Sequence, residues 1–184
     1  PIVQEEAAKA GVDPLLVLAV IAVESGGEVT PRNDATTRYN GLMQVDKKSL
    51  SSGYVSKPVL EKARENIQVG IRYIQQKFRT CWKTKNVVIG MIAYNSGEGM
   101  VIGVSSRGVS PIYNPGLNKD AHNEWLWTDV AHNLKRNVNR FYGAKSIFEK
   151  LTYYPRIHYV YMNLVEKKGF SPFDSNDSKN LKFP

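Results

Sequence analysis

Glu24 has the sequence position that most strongly suggests chemistry. It follows the apolar run Leu15–Val23 and precedes Ser25, Gly26 and Gly27, where the segment ends. Apolar surroundings disfavour a charged carboxylate and therefore raise its pKa. A carboxylic acid that stays protonated near neutral pH is able to donate a proton to a glycosidic oxygen. The simpler interpretation is a glutamate at a helix end whose side chain reaches solvent.

Three later segments combine polar residues with glycines. They are residues 41–46 (GLMQVD), 65–70 (ENIQVG) and 93–99 (AYNSGEG). With Glu24-Ser25 in front, they give in order the pattern Glu-Ser, Gly-Leu-Met-Gln, Asn-Ile-x-x-Gly and Ala-Tyr-Asn-x-Gly-x-Gly. In this pattern, which lies within residues 13 to 100, the chain resembles the soluble lytic transglycosylases and the related goose-type lysozymes.

The resemblance implies a role for each matched residue. Glu24 would protonate the leaving oxygen as general acid and then act as base. Gly41 and Leu42 would bring the backbone close to the sugar, where a side chain would block it. Gln44 offers both a donor and an acceptor, which suits an N-acetyl group or a sugar hydroxyl. The substrate-binding residues implied in this way are Ser25, Gly41, Leu42, Met43, Gln44, Tyr94, Asn95 and Tyr153.

Several of these residues also have a purely structural interpretation. Ser25 would cap the end of its helix, Met43 and Tyr94 would pack in the core, and Asn95 would cap a turn. Tyr153 rests on a looser match, that of segment 149–157 (EKLTYYPRI), to a transglycosylase block in which a Glu precedes a Tyr-Val by four positions. Since Tyr154 stands where that family usually has Val, the two tyrosines are easily confused.

Two reactions remain open, and both cut the bond between N-acetylmuramic acid and N-acetylglucosamine. A lytic transglycosylase uses the sugar's own hydroxyl and needs one carboxylate, whereas a lysozyme must activate water, usually with a second carboxylate. Asp46 and Asp34 are the candidates for that second carboxylate, and Glu28 is a further possibility. Asp46 also has a structural interpretation, in which it binds a nearby lysine or a loop amide. Residues 65–66 and 149–153 favour the transglycosylase, which is our preferred interpretation, with the hydrolytic muramidase as the alternative.

The expected fold is mainly α, of the α+β lysozyme-like kind, with a small β element near residues 29–46 and a cleft that holds Glu24. Residues 1–168 are expected to form one catalytic domain and 169–184 a loosely packed tail. Gly11 is expected to end a first helix, and Asp13 with Pro14 to begin a second. The remaining helices are predicted near 59–78, 86–94, 120–142 and 146–167, the last kinked or split by Pro155, and a long loop is predicted at 97–119.

Composition and motif content also bear on other functional classes, namely nucleic-acid binding, metal-dependent and membrane-spanning proteins. The net charge of +8 suits a polyanionic partner, but the basic residues are scattered and no nucleic-acid motif accompanies them. His122, His132 and His158 form no metal-ligand motif, so neither a metal nor another cofactor is expected. Cys81 is the single cysteine, and no apolar run is long enough to span a membrane. A non-catalytic glycan-binding module is a second alternative, although such a module would not need the acid Glu24.

The expected partner is the glycan strand of peptidoglycan, with no nucleic-acid partner, and the protein is expected to be a monomer. Its expected place of action is the bacterial cell wall in the periplasm, either as a bacterial enzyme or as a phage-encoded lysin that is carried in the virion. Because the sequence starts at Pro1 rather than at a methionine, a processed or trimmed form is expected.

Overall fold

The computed structural model describes residues 1–29, 39–46, 62–80, 87–103, 112 and 127–167. In these ranges the chain is mainly helical and has one antiparallel sheet of two short strands, which confirms the predicted fold class. The elements in chain order are α1 (Ile2–Ala10), α2 (Pro14–Ser25), β1 (Tyr39–Asn40), β2 (Val45–Asp46), α3 (Ala63–Thr80), α4 (Val87–Ser96), α5 (Glu98–Ile102), α6 (Trp127–Phe141), a 3-10 helix (Ala144–Ser146) and α7 (Ile147–Lys167).

The described residues fall into two compact units. The first takes in those within 1–76 and 156–184, and the second takes in those within 77–155. Helices α3 and α7 therefore contribute residues to both units.

The junction between α1 and α2 follows the predicted capping signals. Gly11 adopts a left-handed conformation with φ of 65°, which a residue without a Cβ reaches at little cost, and ends α1. Asp13 then caps α2 by accepting a 2.8 Å hydrogen bond from the backbone N–H of Leu15. Pro14 occupies the first turn, where its missing N–H is not needed.

Helix α2 lies in the core of the first unit. Residues from Leu15 to Ile21 are buried on nearly every side of the helix, as expected for a segment without a polar stripe. The second half of α7 is tied to the start of α2, because the hydroxyl of Tyr161 donates a 2.7 Å hydrogen bond to Oδ2 of Asp13.

An ionic cluster joins α1 to α3 in the same unit. Arg64 contacts Glu6 with one terminal nitrogen and donates to Glu5 with the other at 2.9 Å. Gln68 donates to the second oxygen of Glu6 at 2.9 Å, and Lys9 pairs with Glu5 at 2.6 Å. The buried Glu6 carboxylate thus has partners on both oxygens, as a charge removed from water requires.

The second unit has its own apolar core. Asn137 of α6, itself fully buried, donates a 3.3 Å hydrogen bond to the carbonyl of Met100. Lys77, which is 6 % exposed, pairs with Glu98 at 2.9 Å, so its charge is compensated. The core cluster consists of Ile89, Ile92, Ala93, Met100, Val101, Ile112, Leu134 and Val138.

Three predictions of local structure need correction. The predicted loop 97–119 contains helix α5 in its described part, because Gly97 (φ 82°) turns the chain and a new helical turn starts at Glu98. Helix α4 runs two residues beyond the predicted end at Tyr94. Pro155 does not split α7, which continues through it from Ile147 to Lys167.

Several predictions stay as they were. The tail 169–184 lies outside the described residues, and the single domain over 1–168 remains a prediction. Among the helices that the structure describes, none combines the length and the apolar character that a membrane span requires.

Candidate active site

Glu24 lies in the last turn of α2, one residue before the helix ends. Most of α2 from Leu15 to Ile21 is buried, whereas Ala22 is exposed and Glu24 itself is partly buried. A carboxyl group held at the end of a core helix has a rigid backbone and still reaches a ligand. That combination is what a general acid needs.

Local hydrogen bonds close this end of α2. The hydroxyl of Ser25 donates to the carbonyl of Ile21 at 3.2 Å and accepts from the N–H of Gly27 at 3.1 Å. Gly26, with φ of 65°, donates its N–H to the carbonyl of Ala22. These contacts match the capping alternative for Ser25, and its substrate-binding role stays a prediction.

Arg156 supports the same end of α2 from α7. Its guanidinium donates a 3.3 Å hydrogen bond to the carbonyl of Val23, the residue before Glu24. A positive charge at a helix C-terminus is also favourable toward the helix dipole. Sequence reasoning did not single out Arg156, since nothing in its neighbourhood marks it as a partner of Val23.

Residues 41–44 form the tight turn between β1 and β2. The strands pair Asn40 with Val45 and Tyr39 with Asp46, so the turn projects from a very short ladder. Gly41 has φ of 75°, and Gln44, at 45°, is the one described residue other than glycine with positive φ. The side-chain amide of Gln44 donates to the carbonyl of Gly41 at 2.8 Å, which holds the turn from within.

Asn66 of α3 anchors this turn. The side chain is fully buried; its Oδ1 accepts a 2.8 Å hydrogen bond from the backbone N–H of Met43, and its Nδ2 donates to the carbonyl of Asn40 at 2.9 Å. Both backbone groups face the protein interior and need partners. Asn66 was part of a matched block in the sequence but received no role there. The sequence feature that could have indicated its role is a polar residue beside Ile67, which lies on the apolar face of the predicted helix.

Leu42 and Met43 are core residues in this structure. Met43 is 0 % exposed and Leu42 7 %. A Cβ added at Gly70 of α3 would lie 2.8 Å from Cβ of Met43, so the glycine makes room for the methionine. The core alternative for Met43 therefore fits its position, and the side chain presents no surface to a sugar.

The second-carboxylate candidates differ in their surroundings. Asp46, on β2, is buried at 6 % exposed, and Glu28 is exposed four residues after Glu24. Asp34 lies outside the described residues. Only one residue, Val45, separates Asp46 from Gln44 at the end of the turn.

The second unit holds the remaining predicted site residues. Tyr94 is buried at 6 % exposed, and Asn95 is partly exposed next to the end of α4. The hydroxyl of Ser96 donates to Oδ1 of Asn95 at 3.3 Å. Gly97 follows with φ of 82° and donates its N–H to the carbonyl of Ala93 at 2.9 Å, so the turn predicted at this point is present.

Lys150 and Tyr142 hold the end of α4 in place. Lys150 of α7 donates to the backbone carbonyl of Asn95 at 3.2 Å, and its ammonium lies 5.5 Å from the ring centre of Tyr142. The hydroxyl of Tyr142 donates to the carbonyl of Ser96 at 2.8 Å. Two consecutive C-terminal carbonyls of α4 are therefore satisfied by side chains.

Tyr153 and Tyr154 are distinguished by burial. Tyr153 is 4 % exposed, whereas Tyr154 is only partly buried, and burial raises the pKa of the Tyr154 hydroxyl. Adjacent residues on a helix point about 100° apart. Only one of the two therefore fits a given site, and the substrate contact of Tyr153 stays a prediction.

The described residues contain no group of three or more His, Cys, Asp or Glu side chains placed to hold a metal ion. The first unit does provide the carboxyl group of Glu24 near the end of α2. It also provides the side-chain amide of Gln44, which donates a hydrogen bond to Gly41 within the turn at residues 41–44.

A comparison with known protein families adds an independent finding. The family model described as Lysozyme g matches residues 1–110, more than half of the 184-residue chain. The matched range includes Glu24, both candidate aspartates, the turn at 41–44 and the end of α4. The chain belongs to the Lysozyme g family, and thus to a family of enzymes that degrade peptidoglycan.

Proposed function

We propose that the protein is a hydrolytic muramidase that cleaves the β-1,4 bond between N-acetylmuramic acid and N-acetylglucosamine, with Glu24 as general acid. The observation that carries the proposal is the match to the Lysozyme g family over residues 1–110. This reverses the preference stated from the sequence, where the lytic transglycosylase came first and the muramidase second.

The proposed first step is protonation of the glycosidic oxygen by Glu24. As the bond breaks, positive charge develops on the muramic acid ring, and a water molecule attacks its anomeric carbon. Asp46 is our candidate for the carboxylate that takes the proton from this water. Its position on β2, two residues after Gln44 and within the range matched by the Lysozyme g model, supports the assignment.

We propose two separate substrate contacts, one in each unit: the turn at residues 41–44 in the first unit and the end of α4 in the second. Gln44 is the polar side chain of the turn, and Asn95 is partly exposed at the end of its helix. Leu42 and Met43 in the first unit and Tyr94 in the second are buried, and each would support the contact in its own unit.

A lytic transglycosylase is the second candidate. The segments 65–66 and 149–153 favour it, and the contacts of Asn66 with the turn support a structural role for the first of them. In that case the 6-hydroxyl of the muramic acid residue attacks instead of water, and Glu24 serves as both acid and base.

Mass spectrometry of the soluble fragments from purified peptidoglycan separates the two reactions. A muramidase yields reducing muramic ends, whereas a transglycosylase yields 1,6-anhydro ends that are lighter by one water. Cut stem peptides with intact glycan would contradict both.

Variants of the carboxylates test the roles. Glu24→Gln removes the titrating proton at nearly constant shape and should lower the lytic rate at least about 100-fold. Glu166→Gln, the same change at an exposed position, is the matched control and should retain full activity. Asp46→Asn should abolish hydrolysis as well if Asp46 activates water, and it should leave most of the activity if the enzyme is a transglycosylase. Free energies of unfolding for all three variants identify any loss caused by misfolding.

The proposed place of action is the bacterial cell wall, reached from the periplasm. A bacterial envelope enzyme and a phage lysin that opens the wall both fit this chemistry. Lysis of whole cells with and without permeabilisation of the outer membrane would indicate from which side the enzyme works.

A further inference from the structure

The carbonyl of Val23 lies where the hydrogen bonds of α2 stop following the helical pattern. In a longer helix this carbonyl would accept from the N–H of Gly27, four residues later. That N–H donates to Oγ of Ser25 instead, at 3.1 Å. The partner that the Val23 carbonyl has in the structure is the guanidinium of Arg156, 133 positions away along the chain, at 3.3 Å. A side chain of α7 therefore satisfies the group that the next turn of α2 would have satisfied.

The Val23 carbonyl belongs to the same peptide group as the N–H of Glu24. A peptide group is planar, so a donor that fixes the direction of its C=O also fixes the direction of its N–H and restricts the position of the following Cα. That Cα carries the carboxyl group to which the proposed function assigns proton donation, and the present inference rests on that assignment. The hydrogen bond from Arg156 thus acts on the peptide group that leads directly into the general acid.

Helix α7 contacts α2 at both of its ends within the first unit. Tyr161 donates to Asp13 at the N-terminal end of α2 at 2.7 Å, and Arg156 donates to Val23 near the C-terminal end. Both contacts hold the same two helices together, but only the second lies beside Glu24. The contact of Tyr161 is therefore a comparison for what the loss of a bond between α7 and α2 does by itself.

The exposure of Arg156 separates its contact from the packing of the core. Because the side chain is exposed, its removal opens no cavity, and substitutions at exposed positions usually change stability little. The contact uses one terminal nitrogen and one carbonyl oxygen rather than the bidentate pairing that arginine forms with carboxylates. Lysine, which also carries a charged donor on a long stem, is therefore suited to replace arginine in part at this position.

We propose that Arg156 is a positioning residue for proton transfer by Glu24. Its hydrogen bond fixes the peptide group between Val23 and Glu24 and so holds the carboxyl group in line with the glycosidic oxygen. Arg156 itself takes no part in bond cleavage. Its loss lowers the rate of the chemical step and leaves substrate affinity unchanged, since a displacement of about 1 Å is enough to slow a reaction about 100-fold.

Steady-state kinetics on soluble, uncross-linked glycan strands prepared from peptidoglycan separate kcat from KM. Arg156→Met removes the donor and keeps much of the aliphatic stem, whereas Arg156→Lys supplies a donor again. One control is Tyr161→Phe, which removes the other bond between α7 and α2. The second control is Arg72→Met, the same change at an exposed arginine of α3. Free energies of unfolding establish that each variant is folded at the assay temperature.

In Arg156→Met, kcat should fall at least about tenfold while KM stays within about twofold of the parent. Arg156→Lys should recover at least about half of this loss on a logarithmic scale, and both controls should keep kcat within about twofold. A rise in KM with unchanged kcat would make Arg156 a substrate contact and overturn the proposal. An unchanged kcat, an equal loss in Tyr161→Phe or no recovery with lysine would overturn it as well.

Nuclear magnetic resonance gives a second readout that does not depend on activity. The carbonyl carbon of Val23 and the amide of Glu24 belong to the peptide group in question. Their resonances should shift in Arg156→Met and stay in place in Tyr161→Phe and Arg72→Met. Unchanged resonances in Arg156→Met would overturn the proposal even if kcat fell. Failure of the proposed function would appear separately, as absence of lysis by the parent protein or as full activity of Glu24→Gln.

Discussion

The Oδ1 atom of Asn66 accepts a 2.8 Å hydrogen bond from the backbone N–H of Met43, 23 residues earlier in the chain. The same side chain donates to the carbonyl of Asn40. One helix residue therefore satisfies a backbone group just before the turn that contains Gln44 and another within it. The position of that turn on α3 depends on the amide of Asn66.

Removing this amide should be costly. Asn66→Ala removes the side-chain partner of a buried N–H and of a buried carbonyl, so we expect a loss of about 2–5 kcal/mol in the free energy of unfolding. Urea denaturation measures it. The control Asn163→Ala, at a partly exposed helical asparagine that donates to the carbonyl of Tyr159, should change stability by less than about 1 kcal/mol. A change at Asn66 no larger than at Asn163 would contradict the anchoring role.

Gly70→Ala tests the packing of the turn against α3. In an ordinary helix this change stabilises by about 0.5–1 kcal/mol. Here the added Cβ would meet Sδ of Met43 first and would also lie 2.8 Å from its Cε, atoms that alanine lacks, so we expect destabilisation by about 1–3 kcal/mol. A double-mutant cycle with Met43→Ala should show a coupling that restores part of the loss. Additive effects would show that the two residues do not compete for space.

The ionic cluster between α1 and α3 should make stability depend on acidic pH. The hydrogen bond from Arg64, followed by that from Lys9, lowers the pKa of Glu5 to about 2 from 4.5. The hydrogen bond from Gln68 is the largest cause that lowers the pKa of Glu6. A carboxylate whose pKa is lower in the folded state contributes stability above its unfolded pKa and loses it as pH falls through the folded value.

Stability should therefore decline from about pH 4.5 toward pH 2, and Arg64→Gln should flatten that decline. Thermal or urea unfolding measured across this range tests the expectation. Arg72→Gln, an exposed arginine eight residues further along α3, is the control and should leave the slope unchanged. An identical slope in Arg64→Gln would exclude the hydrogen bond from Arg64 to Glu5 as the source of the decline.

Tyr161→Phe tests the tie between α7 and α2. The change removes one hydrogen bond and leaves the capping oxygen of Asp13 with Leu15, so the expected loss is about 0.5–1.5 kcal/mol. Burial, and then the hydrogen bond to Asp13, raises the pKa of the Tyr161 hydroxyl. Spectroscopic titration should accordingly lose one late-titrating tyrosine in the variant. The control Tyr159→Phe, at a 71 % exposed side chain, should alter neither stability nor that late step.

The sequence predicted those structural features that are determined by residues close together in the chain. Gly11, Asp13 and Pro14 define the junction of α1 and α2 through local backbone chemistry, and the structure has the junction where they indicate. The buried character of α2 was equally readable, because an apolar run without a polar stripe must be covered on all sides. A small β element was expected near residues 29–46, and both strands lie within that range.

Contacts between distant residues were not readable from the sequence. Asn66 and Met43 are linked by geometry that appears only after α3 packs on the turn, and the same is true of Arg156 and Val23. Helix α5 was missed because Gly97 and Gly99 indicate a loop, whereas the first ends one helix and the second is included in the next. Local composition therefore predicted that the chain turns at Gly97, but not that helix α5 begins directly after the turn.

The turn at residues 41–44 bears on how related chains should be searched for. Its four letters, Gly-Leu-Met-Gln, are each accounted for by the fold: Gly41 and Gln44 by left-handed backbone, and Leu42 and Met43 by burial. A search pattern built on them retrieves a shape that enzymes with different final nucleophiles have in common. Sorting such enzymes by reaction should instead use the acidic positions around the turn, beginning with the equivalent of Asp46.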